Sequence, residues 1–92
     1  MCRAIFTEAC TDTFKAYADK NAQGASSYDK ATTLGECQAQ CLSMEDCVAV
    51  DWSPTDTTSK CWIHTDAQQA AQLKDAVGVT HHAREKCNKS GE

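Results

Sequence analysis

Seven cysteines, at positions 2, 10, 37, 41, 47, 61 and 87, are spread along a chain of 92 residues. Thiols can act as nucleophiles, hold a metal or pair as disulfides. A cysteine nucleophile needs an imidazole base beside it. Histidines are present at 64, 81 and 82, but the chain carries no local signature of a cysteine protease. It also has no G-x-S-x-G, no glycine-rich phosphate loop and no carboxylate pair suited to acid–base work. Structural zinc favours two cysteine knuckles. Cys37-x3-Cys41 fits loosely, while Cys61 and Cys87 each stand alone. His81 and His82 are adjacent, so on a strand they project to opposite faces and cannot grip one ion together. The expectation is a non-enzyme with no cofactor and no metal, whose cysteines form disulfides.

Size points the same way. So short a chain supports one core, and its residues 1–92 read as a single domain. Two Phe, two Tyr and two Trp are its only aromatic residues, so apolar burial needs covalent help. Cysteine density of this order marks small domains of oxidising compartments, and a secreted, extracellular location is expected. The net charge is −4 and the basic side chains form no stripe, which argues against nucleic acid and anionic membrane surfaces as partners. No apolar run approaches the roughly 20 residues needed to insert through a bilayer. Met1-Cys2-Arg3 leads into a polar segment without a signal-peptide pattern. For a secreted chain, that reads as a mature fragment with an added start methionine.

The elements that must position these cysteines are partly legible. Thr33-Leu34-Gly35-Glu36 is a capping box. Leu34, Cys37, Cys41 and Met44 then recur as one stripe of a helix to about Glu45, with Cys37 and Cys41 one turn apart on the same side. Val48-Ala49-Val50-Asp51-Trp52 alternates as a strand, Ser53 to Ser59 turns, and Cys61-Trp62-Ile63-His64 returns as a second strand. Phe14 to Ala18 reads as an edge strand and Asn21 to Ser27 as a loop. Ala67 to Ala76 is weakly helical, and Val77 to His82 forms a third strand. Such a helix packed across the Cys61 strand can be stapled twice, Cys41 to Cys47 through the short loop and Cys37 to Cys61.

Thr33-Leu34-Gly35-Glu36-Cys37-Gln38-Ala39-Gln40-Cys41, Cys47-Val48-Ala49-Val50-Asp51-Trp52, Cys61-Trp62-Ile63-His64, Gly78-Val79-Thr80-His81-His82 and Cys87 together resemble the PAN/apple domain family, over residues 10–87. The resemblance implies an α+β fold: a small, disulfide-rich domain with a twisted antiparallel sheet of about five strands and one α-helix packed across it. It implies the bridges Cys37–Cys61 and Cys41–Cys47 and, from the apple subtype alone, Cys10–Cys87. Cys2 is then spare. It is free, or links two chains into a disulfide-bonded homodimer, or replaces Cys10 in the terminal bridge.

Similar domains are extracellular modules that bind proteins or carbohydrates, so a recognition or adhesion module, including a lectin, is the expected function. Two other readings stay open: a matrix or adhesive-material component cross-linked through Cys2, and a small secreted inhibitor or toxin presenting the 53–60 loop. If Cys61 and Ile63 face the helix, Trp62 and His64 face the other side of the sheet, which has no helix over it. They are the candidate ligand-binding residues. Asn88-Lys89-Ser90 is a candidate glycosylation site.

Overall fold

The computed structural model describes residues 10–87; Cys2 and Asn88 lie outside them. Five strands form one antiparallel sheet: β1 (Thr13–Asn21), β2 (Ser26–Ser27), β3 (Ala49–Trp52), β4 (Cys61–His64) and β5 (Lys74–Glu85), in the order β1-β5-β3-β4-β2. The first long strand therefore pairs with the last. Thr13 faces Glu85, and just beyond them Cys10 and Cys87 are bonded with Cα atoms 5.8 Å apart.

Helix α1 (Leu34–Leu42) packs across β3 and β4. Thr33 caps it, its hydroxyl accepting from the Glu36 amide at 3.1 Å. The Glu36 carboxylate reaches back to the Thr32 amide and hydroxyl, at 2.7 and 3.0 Å. The helix stops at Leu42, short of the expected Glu45. Ser43 caps the end, and the Cys41–Cys47 bond, with Cα atoms 5.3 Å apart, draws the chain into a tight loop. The second staple, Cys37–Cys61, joins α1 to β4. These four cysteines are fully buried and, with Ala31, Val50 and Ile63, form the core, against which Phe14, Tyr28, Met44 and Trp52 pack. The bridges substitute for the large side chains that the sequence lacks.

Other elements also differ from their sequence-based expectations. The stretch from Ala67 is helical only over α2 (Ala67–Ala70), whose N-cap Asp66 accepts from the amides of Gln68 and Gln69. By Lys74 the chain is already in β5, because pairing with β1 resumes past a bulge, with Lys20 opposite Asp75. At that bulge Asp19 takes φ 59° and its carboxylate accepts from the Gly78 amide at 2.9 Å; Gly78 itself has φ 87°. The supposed loop before Tyr28 contributes β2, paired with β4.

Candidate functional site

Strand pleat divides the sheet's side chains. Val50, Trp52, Cys61 and Ile63 go to the α1 side. Asp51, Trp62, His64 and His81 go to the other. Asp51 sits opposite both Trp62 on β4 and His81 on β5, so three neighbouring strands deliver their polar side chains to one place. His82 turns to the α1 side, where Gln38 Nε2 lies 3.4 Å from its Nδ1. Burial, with His81 alongside, lowers its pKa.

The second face is not open. Ala22, buried after β1, donates its amide to Asp51 Oδ2 at 3.1 Å, and α2 covers the ground near Ala49 and His81. Beneath this cover Asp51 Oδ2 lies 2.7 Å from His64 Nε2, and Oδ1 lies 2.7 Å from His81 Nδ1. The two imidazoles meet edge to face, 5.5 Å between centroids. Burial pushes the pKa of Asp51 up, but the hydrogen bonds from His64, His81 and Ala22 together hold it below the usual carboxylate range. An ionised carboxylate only accepts, so both facing ring nitrogens carry protons. His64 Nδ1, on the far side of its ring, is buried with no hydrogen-bond partner.

His64 is thus buried, not exposed as strand parity alone would have it. Parity put it on the correct side of the sheet, but His64 is 0% exposed there, bonded to Asp51 and edge to face with His81. Trp62 is different. It is half-buried in the wall of a cleft of about 370 Å³, with Asn21 to Ala25 on one rim, Ser53 and Asp56 on another, and Asp51 and Val79 also lining it. Its indole N–H donates to the Ser59 carbonyl at 3.1 Å, which fixes the ring. Asp56 organises the 53–60 turn by accepting from the Thr58 amide and hydroxyl at 2.8 and 2.7 Å.

A family model for the PAN domain matches residues 10–87 of this chain, from one terminal bridging cysteine to the other. The chain belongs to the PAN domain family. Comparison with curated proteins and with solved structures found no match. PAN domains are interaction modules for proteins or carbohydrates. No helix among the described residues of this PAN domain is long and apolar enough to cross a membrane, and its three bridges suit an oxidising compartment.

The cluster that sequence reasoning missed is Asp51 with His81. Alternation places Asp51 opposite in sense to Val50 and Trp52, and Trp62 and His64 opposite to Cys61 and Ile63. The missing information is register. Only the pairing of Trp52 with Cys61 and with Thr80 brings Asp51, His64 and His81 together.

Proposed function

We propose that this PAN domain is a secreted, extracellular recognition module that takes a protein or carbohydrate ligand in the cleft walled by Trp62. The observation that carries the reading is the fixed, half-buried indole of Trp62, facing a concave space among hydroxyl, amide and carboxylate groups. Recognition sites combine an aromatic platform with a few placed polar groups in this way. The indole stacks on the apolar face of a sugar ring or anchors a side chain of a protein partner. Adhesion through such contacts is the consequence for the cell or matrix that displays the domain.

A glycan array probed with the purified domain tests this, with Trp62→Ala beside it. A saturable hit lost in the variant supports the carbohydrate form. A blank array, with a protein partner found by cross-linking and lost in Trp62→Ala, supports the protein form. Ligand binding that Trp62→Ala leaves unchanged overturns the cleft as the site.

A further inference from the structure

We propose that Asp51, His64 and His81 form a binding site for one divalent transition-metal ion of the zinc class. The proposal does not rest on the Trp62 cleft being a recognition site. Asp51, His64 and His81 each offer one ligand atom, all within 4.8 Å of one another, and Nε2 of His64 and Nδ1 of His81 are the nitrogens that face the Asp51 carboxylate. Each comes from a different, adjacent strand of the sheet, so the backbone fixes their spacing more firmly than loops do. All three side chains are buried. Among the described residues no lysine or arginine pairs with Asp51, whose partners are the two imidazoles. A buried carboxylate without such a cation is a place where a metal ion supplies the missing charge. Two imidazoles and one carboxylate match the nitrogen and oxygen preference of zinc, with three protein ligands and an open fourth position.

The present nitrogen–oxygen separations of 2.7 Å are those of hydrogen bonds. Zinc with bonds of about 2.0–2.1 Å in tetrahedral arrangement sets its ligand atoms about 3.3 Å apart. Metal entry therefore widens the two contacts to Asp51 and draws the imidazoles inward, a change within reach of side-chain rotation. As Nε2 of His64 and Nδ1 of His81 turn to the ion, each proton moves to the other nitrogen of its ring: to Nε2 in His81 and, in His64, to Nδ1, the buried atom that has no partner. That ring lacks the carbonyl or carboxylate that usually orients a ligating histidine, so affinity is weaker than in a fully buttressed zinc site. Asp51 alone of the three lines the Trp62 cleft. The cleft gives the ion its way in and offers the fourth position to water.

The test titrates zinc chloride into the chelator-stripped full chain by calorimetry, and follows the imidazole nitrogens by two-dimensional NMR. The expected result is one ion per chain, with His64 and His81 resonances shifting and those of His82 still. His64→Gln and His81→Asn keep an N–H aimed at Asp51 but remove the ligand nitrogen. Each is expected to weaken binding at least about tenfold, while His82→Asn, altered on the opposite face, binds as the parent does. If either ligand variant fails to fold, the spectrum of the unaltered chain decides. Absence of zinc binding overturns the proposal, as does binding that leaves His64 and His81 unshifted or survives both substitutions.

Discussion

Arg84 and Asp12 form an ion pair, Nε to Oδ2 at 2.8 Å, that links the closure of the chain ends to the end of the helix. The other carboxylate oxygen of Asp12 accepts from the Cys87 amide at 2.7 Å, beside the Cys10–Cys87 bond. Nη1 of Arg84 donates to the carbonyls of Cys41, Met44 and Cys47, at 3.0, 2.8 and 3.1 Å. The Cys41 and Met44 carbonyls already accept from the amides of Met44 and Cys47, so the guanidinium adds a second donor to each and supplies one to the Cys47 carbonyl, where α1 ends and the Cys41–Cys47 loop turns.

Lysine cannot reproduce that fork, because its ammonium is a single point at the end of a flexible stem. Arg84→Lys keeps the charge but cannot serve both the Cys47 carbonyl and Asp12, so one of them loses the donor that Arg84 gives it. An unsatisfied buried acceptor costs about 1–3 kcal/mol. Urea unfolding is expected to show a loss of that order for Arg84→Lys, and a larger one for Arg84→Ala. A midpoint unchanged in Arg84→Lys rules out the fork as the source of stability.

The same pair sets an acid limit. The hydrogen bond from the Cys87 amide does most to lower the pKa of Asp12; burial, next in size, pushes it up, and Arg84 and Lys86 bring it back down, so it stays below its ordinary value. A carboxylate whose folded pKa is depressed stabilises the fold fully above the unfolded value, about 3.9, and loses that contribution as pH falls through the folded pKa. The Asp12 contribution is therefore expected to be lost, and the melting temperature to drop with it, below about pH 4. Asp12→Asn starts lower at neutral pH and falls less steeply in acid. Parallel curves for the two proteins, measured by circular dichroism melts across pH, contradict this role for Asp12.

The three bridges differ in access. Cys37, Cys61, Cys41 and Cys47 are all 0% exposed, whereas Cys10 is exposed and Cys87 half-exposed. Thiol exchange needs access to a sulfur. Mild reductant followed by alkylation and peptide mapping is expected to label Cys10 and Cys87 first. Because that bond closes a separation of 77 residues, its loss removes about 4–5 kcal/mol in chain-entropy terms. That is a large share of the roughly 5–15 kcal/mol of a small domain, so the melting temperature falls steeply at this first step. Simultaneous labelling of all six cysteines, or a melt unmoved by opening Cys10–Cys87, runs against it.

Much of this was legible in the residues themselves, and the remainder shows what linear patterns leave out. Thr33 and Glu36 announce the start of α1, and Cys37 and Cys41 announce its buried face, because capping and helical spacing are local properties. The strands around Val50 and Ile63 are likewise read from alternation. The end of α1 is set by the loop bond at Cys47 and by a guanidinium arriving from position 84, neither of which the helix encodes. The burial of His64 goes with the tertiary surroundings of its partner Asp51, which accepts from Ala22, 29 residues away in the chain. Side-chain parity gives the face of a sheet but says nothing of what later covers that face.

The rim of the cleft depends on a backbone conformation as much as on side chains. Gly24, between Ala22 and β2, has φ 91°, and a Cβ added there would meet Gln69 Oε1 of α2 at 2.2 Å. The oxygen is the far end of a flexible side chain and can swing away. The left-handed backbone cannot be relieved so easily, at a cost of about 1–2 kcal/mol for a residue with a Cβ. Gly24→Ala is expected to lower stability by about that amount, and adding Gln69→Ala restores little of it. Thermal melts of the single and double variants separate the two causes. Recovery in the double variant would assign the cost to the Gln69 contact, and no loss in either would mean that the rim relaxes without the left-handed turn.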